Sequence, residues 1–141
     1  MKHAGASAVV FAYHDVGVRG IESLLARGVD IPLVVTHRDD PAERPWFASV
    51  AECAARYGIE TVTPEPDELP ALASRLEALA PDFVFSFYYR HLIPGVLLAT
   101  ARRGALNLHG SLLPRYRGRA PVNWAVLAGE PETGASLHYM T

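Results

Sequence analysis

Short apolar runs alternate along the chain with segments in which apolar residues recur at helical spacing. The run at 7–13 (SAVVFAY) is almost entirely apolar, as in a strand that is covered on both faces. The segment that follows, 18–28, has Ile21, Leu24 and Leu25 at helical spacing and ends at Gly28, a residue that helix C-termini favour. A buried strand next to an amphipathic helix is typical of a parallel sheet covered by helices.

The same alternation continues to the end of the chain. It predicts five further strands, at 31–37, 59–63, 82–87, 104–109 and 133–140. It predicts further helices at 49–58, 69–80, 96–101 and around 122–129, the first of them capped by Ser49. Strands that alternate with helices indicate an α/β domain with a doubly wound, mostly parallel, Rossmann-like sheet. Because no element follows the last strand, we expect this domain to be truncated at its C-terminal edge.

The composition is that of an ordinary globular domain. The 141 residues are 50% hydrophobic and 20% charged, with a formal net charge of −2, so a single core is expected and no nucleic-acid partner is favoured. The lone cysteine, Cys53, allows no internal disulfide and no cysteine-rich zinc site, and we expect it to pack in the core. No signal peptide precedes the first strand and no apolar run is long enough for a bilayer, so we expect a cytoplasmic protein without membrane insertion.

Polar residues concentrate where four of the predicted strands end. They form the segments 14–17 (HDVG), 38–40 (RDD), 88–93 (YYRHLI) and 107–111 (NLHGS). Ligands of open α/β sheets bind outside the carboxyl ends of the strands, at the point where the strand order reverses, so these segments predict the position of the site. Gly17 and Gly20 lack the tight G-x-G turn of the dinucleotide fingerprint, which argues against NAD binding.

Asn107 and His109 are the main candidates for chemistry. They lie two residues apart on a predicted strand, so their side chains share one face if the strand is regular to its end. A histidine transfers protons near neutral pH, and an asparagine amide donates to an oxygen that gains negative charge in a tetrahedral transition state. Together they suit acyl transfer without a covalent enzyme intermediate. The alternative is structural: Asn107 caps a turn and His109 bonds to the backbone.

The segment after His109 is rich in proline, glycine and arginine. In one interpretation it is a rigid loop that holds Arg115, Arg117 and Arg119 toward a phosphate or carboxylate of a ligand; in the other it is a surface connection with solvated arginines. The six histidines form no H-x-x-x-H or similar cluster, so no metal is expected. Among them, His138 lies on the last predicted strand with no evident partner.

The stretch at 107–121 (NLHGSLLPRYRGRAP) resembles the signature of the formyltransferases that use 10-formyltetrahydrofolate. The resemblance extends over essentially the whole chain. The segments 11–17 (FAYHDVG), 85–93 (FSFYYRHLI) and 117–124 (RGRAPVNW) differ from the methionyl-tRNA branch, whose G-T-P turn is missing here. These segments are instead similar to the sugar-nucleotide branch found in bifunctional polymyxin-resistance enzymes.

This resemblance implies formyl transfer from 10-formyltetrahydrofolate to the amine of UDP-4-amino-4-deoxy-L-arabinose, a step of lipid A modification. By the same resemblance, His109 transfers the proton and Asn107 stabilises the tetrahedral transition state. The folate contacts that it implies are the pterin-holding segment and two further residues: His91, Leu92, Ile93, Arg119 and Thr141. The implied contacts with the sugar nucleotide are His14, Asp15 and Gly17.

The resemblance also sets expectations about the rest of the protein. The family has a catalytic aspartate just after the last strand, at a position beyond Thr141. We therefore expect 1–141 to be an incomplete N-terminal formyltransferase domain with little activity by itself, from a protein that carries a fused decarboxylating dehydrogenase domain and forms oligomers. The alternatives are a formyltransferase for methionyl-tRNA or another amine, and a non-catalytic remnant that binds folate or a UDP-sugar.

Overall fold

The computed structural model describes residues 5–38, 49–109 and 136–140 of the chain. The strands in these ranges are β1 Ser7–Ala12, β2 Asp30–Val35, β3 Glu60–Val62, β4 Phe83–Phe87, β5 Gly104–His109 and β6 Ser136–Tyr139. The helices in these ranges are α1 His14–Ala26, α2 Val50–Arg56, a 3₁₀ helix Pro66–Leu72, α3 Ala73–Leu79 and α4 Gly95–Leu98. All six predicted strands are confirmed, and the predicted helix around 122–129 lies outside the described residues.

The strands form one sheet in the order β3-β2-β1-β4-β5-β6. Neighbouring strands are parallel from β3 to β5, and β6 pairs antiparallel with β5. This arrangement confirms the predicted doubly wound, mostly parallel α/β fold. The strand order reverses between β1 and β4, so the carboxyl ends of these two strands define the crevice where folds of this kind bind their ligands.

Apolar side chains cover both faces of the sheet. On one face, α1 and α2 pack against the strands through a core that includes Ile21 and Cys53. On the other face, the 3₁₀ helix, α3 and α4 contribute Leu69, Leu76 and Leu97 to a second core. Cys53 is fully buried, which confirms the prediction that it packs in the core. With both faces covered, the strand ends are where polar side chains gather.

The first helix begins earlier than its apolar spacing predicted. α1 starts at His14 rather than at 18, because the N–H of Gly17 donates to the carbonyl of Tyr13 at 3.1 Å and closes a first turn. The polar HDVG segment is therefore the N-terminal turn of α1. Its carboxylate, Asp15, lies in that turn, where the helix dipole favours negative charge.

The predicted helix at 69–80 is divided in two. The part from Pro66 to Leu72 is a 3₁₀ helix, and only Ala73–Leu79 is α-helical. Pro70 has no N–H to donate and its ring crowds the preceding turn, which favours the tighter 3₁₀ geometry. At α2 the predicted cap is confirmed, since the N–H of Glu52 donates to Oγ of Ser49 at 3.1 Å.

The absence of a side chain at Gly20 lets α1 approach β4 closely. A Cβ atom at this position would lie 2.5 Å from Cδ2 of the buried Phe87 ring, well inside van der Waals contact. Gly17 makes a similar approach, and a Cβ atom there would lie 2.9 Å from Cγ2 of Val50. These close approaches pack the first half of α1 against Phe87 of β4 and Val50 of α2.

Candidate active site

Two sharp backbone turns face each other where the strand order reverses. The N–H of Tyr13 donates to the carbonyl of Phe87 at 3.0 Å, so β1 and β4 remain joined up to this level. The next residues, His14 and Tyr88, both have left-handed φ values, 69° and 63°. Non-glycine residues in this conformation cost about 1 kcal/mol or more each, and such residues cluster at functional sites. Their rings lie 5.8 Å apart between centroids and line the crevice between the two strands.

A cluster of aromatic and imidazole rings lies beside these turns. His37, which follows β2, stacks on Tyr89 with 4.4 Å between ring centroids and 12° between ring planes. His91 meets the His37 ring edge-on, with centroids 4.5 Å apart. The N–H of Arg90 donates to Nε2 of His37 at 2.8 Å. Because Nε2 is the acceptor, the proton of the neutral ring lies on Nδ1. His37 therefore connects the segment after β4 to the end of β2.

Burial sets the protonation states of this cluster. Burial, together with the smaller effects of the neighbouring charges of His91 and Arg90, lowers the pKa of His37 to about 4. The neutral ring is therefore retained at neutral pH, and with it the acceptor at Nε2. Burial also raises the pKa of Tyr89 to about 12, with a smaller contribution from Glu65. The Tyr89 hydroxyl is buried and, within the described part of the chain, has no hydrogen-bond partner.

The segment His91, Leu92 and Ile93 offers backbone groups to a ligand. Among the described residues, no hydrogen bond joins the backbone N–H and C=O groups of these three residues to the rest of the chain. Ile93 is buried in the second core and anchors the segment, whereas Leu92 is 93% exposed. Backbone donors and acceptors without a partner among the described residues, beside an exposed apolar side chain, are available to a ligand with a polar edge.

Asn107 lies near the end of β5, in register with Ser86 of β4 and His138 of β6. Its Nδ2 is 3.3 Å from Nε2 of His138. His138 was expected to have no evident partner, and this expectation is wrong. The antiparallel pairing of β6 with β5 brings the two side chains together, and the sequence gives little indication of it because a long segment separates the strands.

The described structure places only part of the predicted Asn–His pair. His109 is the last residue of β5, and its backbone is in register with Ser136 of β6. The preceding Leu108 is in register with Phe87, so His109 lies at the level where β4 gives way to Tyr88. The side chain of His109 is outside the description, and its predicted role stays a prediction.

The other predicted site residues fall into separate groups. His14 and Asp15 lie in the N-terminal turn of α1, at the crevice. Gly17 is buried one turn further on and packs against Ala12 of β1 and Val50 of α2, so it is placed for helix packing. Residues 110–135 and 141, which include Arg115, Arg117, Arg119 and Thr141, lie outside the described ranges.

The described part of the chain contains neither a cluster of metal-binding side chains nor a helix that could cross a membrane. Within residues 5–38, 49–109 and 136–140, no three histidine, cysteine, aspartate or glutamate side chains are grouped so that they could hold a metal ion. None of the helices in the same ranges has the length and apolar character that crossing a membrane requires.

The fold and the crevice at the strand ends define a doubly wound α/β protein. The family profile described as formyl transferase matches residues 8–141, which is nearly the whole chain. The chain therefore belongs to the formyl transferase family, and its chemistry is formyl transfer of the formyl-folate type. The resemblance inferred from the sequence is confirmed at this level.

Solved structures agree with this assignment. Glycinamide ribonucleotide transformylase 1 from Symbiobacterium toebii is 25% identical with a TM-score of 0.79, over 99% of this chain and 68% of that chain. The corresponding enzyme from Geobacillus kaustophilus is 28% identical with a TM-score of 0.74, over 96% of this chain and 74% of that chain. A formyltetrahydrofolate deformylase from Pseudomonas syringae pv. tomato str. DC3000 shares the fold, with 20% identity and a TM-score of 0.76, over 97% of this chain and 46% of that chain.

Proposed function

We propose that this protein transfers the formyl group of 10-formyltetrahydrofolate to the amine of a UDP-sugar, UDP-4-amino-4-deoxy-L-arabinose, in lipid A modification. The observation behind the proposed formyl transfer is that Asn107 lies near the end of β5, while the backbone groups of His91, Leu92 and Ile93, which follow β4, make no hydrogen bond within the described residues. The support for the sugar nucleotide is the resemblance of 11–17 and 85–93 to the bifunctional polymyxin-resistance protein ArnA.

In this proposal the amine nitrogen forms a bond to the formyl carbon, and the bond from that carbon to the folate nitrogen breaks. Asn107 donates from Nδ2 to the formyl oxygen as this oxygen gains negative charge. His109 takes the proton that the amine loses and delivers it to the departing folate nitrogen. The products are a formamide and tetrahydrofolate, so no oxidant or reductant is needed.

The folate is proposed to lie along the segment after β4. The backbone of His91, Leu92 and Ile93 bonds to the polar edge of the pterin, and Leu92 covers its face. The burial of Ile93 and the bond from Arg90 to His37 support this role, because they fix the segment from both sides before a ligand binds. Arg119 and Thr141 are proposed as further folate contacts from the resemblance alone.

The sugar nucleotide is proposed to enter next to the N-terminal turn of α1. His14 and Asp15, which lie in that turn, are proposed to contact its polar groups, while Gly17 packs α1 against Ala12 and Val50. The exposed guanidinium of Arg90 lies 4.8 Å above the Tyr13 ring and adds positive charge at the same end of the sheet. Positive charge beside the crevice suits the diphosphate of a UDP-sugar.

A second acceptor is favoured by the solved structures with similar folds, several of which are named as glycinamide ribonucleotide transformylases. That acceptor, glycinamide ribonucleotide, also has a primary amine and a sugar phosphate, so the same chemistry would serve it. The net charge of −2 and the missing G-T-P turn disfavour methionyl-tRNA.

An acceptor panel tests the proposal. The full-length protein is incubated with 10-formyltetrahydrofolate and one of four acceptors: UDP-4-amino-4-deoxy-L-arabinose, glycinamide ribonucleotide, methionyl-tRNA or water alone. Formylated products are measured by mass spectrometry and tetrahydrofolate by absorbance. We expect the highest kcat/KM with the UDP-sugar. A preference for glycinamide ribonucleotide would refute UDP-4-amino-4-deoxy-L-arabinose as the acceptor but would still support formyl transfer. Folate binding without any turnover would support the non-catalytic remnant.

A further inference from the structure

The contact between Asn107 and His138 joins the proposed transition-state donor to an imidazole on the neighbouring strand. The two residues are a register pair of β5 and β6, and both side chains are half-buried. The distance from Nδ2 of Asn107 to Nε2 of His138 is 3.3 Å. The same imidazole makes a second contact, from Nδ1 to the carbonyl oxygen of Tyr139 at 3.1 Å.

The contact between Nδ1 of His138 and the carbonyl of Tyr139 determines which group donates in the contact between Asn107 and His138. A backbone carbonyl only accepts hydrogen bonds, so Nδ1 of His138 carries the ring proton and donates it to Tyr139. In the neutral ring, Nε2 then has only a lone pair and acts as an acceptor. The group of Asn107 that faces Nε2 is therefore the amide nitrogen, which donates one of its two N–H bonds. The opposite orientation would place Oδ1 of Asn107 against the lone pair of Nε2.

The position of the imidazole is itself fixed by its neighbours on β6. The Tyr139 ring lies over Gly104, where an added Cβ atom would be 2.6 Å from Cε1 of the ring. The N–H of Met140 donates to the carbonyl of Ala105 at 2.7 Å. These contacts hold the edge strand in register with β5, and with it the ring of His138.

We propose that His138 is a positioning residue, which holds the Asn107 amide so that its second N–H stays available to the formyl oxygen. This inference rests on the proposed function. His138 accepts from one N–H of the Asn107 amide, and the other N–H and Oδ1, which have no partner within the described residues, are proposed to face the substrate. Because the amide is already oriented before the reaction, no free energy is needed to reorient it in the transition state.

A substitution series in the full-length protein tests the role. We expect His138→Leu to lower kcat by between about 10- and 100-fold, less than the loss of about 10²- to 10³-fold for removing a transition-state donor outright. KM for both substrates should stay within about twofold, because ground-state contacts are unchanged. His138→Gln, whose side-chain oxygen can accept from Asn107, should restore most of kcat. Leu137→Ala, at a 53% exposed position on the same strand, is the matched control.

The decisive comparison uses Asn107→Ala as background. If His138 acts through Asn107, adding His138→Leu to Asn107→Ala should lower kcat by less than about twofold, since the group that is positioned is already gone. A full additional loss in that background, a rise in KM, or unchanged activity of His138→Leu would overturn the proposal.

Nitrogen NMR of the labelled protein gives a readout that does not depend on catalysis. We expect His138 to be in the tautomer protonated at Nδ1, and the side-chain amide signals of Asn107 to shift in His138→Leu. A proton on Nε2 of His138, or Asn107 amide signals that are unchanged in His138→Leu, would refute the hydrogen bond between Asn107 and His138 whatever the activity. Loss of turnover in the unsubstituted protein would instead refute the proposed function, and the NMR result would still decide the pairing.

Discussion

His37→Phe separates the stacking of the His37 ring on Tyr89 from the hydrogen bond that this ring accepts from Arg90. A phenyl ring keeps the stack on Tyr89, whose centroid is 4.4 Å away, but it has no acceptor for the N–H of Arg90. The lost bond is a 2.8 Å backbone-to-ring hydrogen bond, and such bonds contribute about 0.5–1.5 kcal/mol. If this bond holds the segment 88–93 ready for the ligand, its loss should weaken folate binding by about 2- to 10-fold.

The same substitution changes the pH dependence of stability, and its sign follows from the pKa. The pKa of His37 is lowered from its ordinary 6.5 to about 4, so the unfolded chain binds more protons at this residue between these values. The contribution of His37 to the free energy of unfolding is fully present above about pH 6.5 and is lost as the pH falls toward about 4. For a half-buried ring the loss is on the order of 2 kcal/mol after allowing for solvent screening. His37→Phe should remove this part of the pH dependence.

Two assays check this prediction on the full-length protein. Titration calorimetry with a folate ligand measures the change in Kd, and urea unfolding between pH 7 and pH 4 measures the change in stability. Arg27→Ala, at an exposed position at the end of α1 remote from His14, is the control. A His37→Phe protein that binds folate as tightly as the parent would show that the bond from Arg90 does not position the segment. An unfolding free energy with the same pH dependence in both proteins would show that His37 is not held neutral by the fold.

Three further substitutions test the packing and the capping. Gly20→Ala should lower the free energy of unfolding by about 1–3 kcal/mol, because the new Cβ atom would lie 2.5 Å from the ring of Phe87. Thermal unfolding measures this change, and an unchanged Tm would mean that α1 lies further from the sheet. Tyr89→Phe should leave Tm unchanged or raise it, since the buried hydroxyl has no partner in the described residues, and a clear fall in Tm would reveal one. Ser49→Ala should cost about 1 kcal/mol in urea unfolding through loss of the cap on Glu52, whereas Ser49→Thr, which keeps the hydroxyl, should not.

The fold was predictable because its sheet is buried on both faces. The central strands are then short apolar runs, and this signal is present locally in the sequence, as at 7–13 and 82–87. Helix boundaries were predicted less well. The start of α1 depends on a hydrogen bond to Tyr13, and the division of the 69–80 helix depends on Pro70, so apolar spacing alone misses both.

The candidate site was predictable in its position but not in its contacts. The carboxyl-end rule brought together the segments at 14–17 and 88–93, and the strained turns at His14 and Tyr88 lie there. The ring stack of His37 with Tyr89 and the pairing of Asn107 with His138 join residues that are far apart in the sequence. Such contacts follow from strand order and register, which a single sequence does not specify.

Formyl transfer that depends on Asn107 can be followed with an isotope label. The full-length protein and its Asn107→Ala variant are given 10-formyltetrahydrofolate with an isotope-labelled formyl group and UDP-4-amino-4-deoxy-L-arabinose, and label in the sugar nucleotide is followed by mass spectrometry. We expect labelled formamide from the parent protein and a kcat lower by about 10²- to 10³-fold in the variant, with folate affinity little changed. Equal rates for the two proteins, or no label transferred to any amine by the parent, would contradict the account.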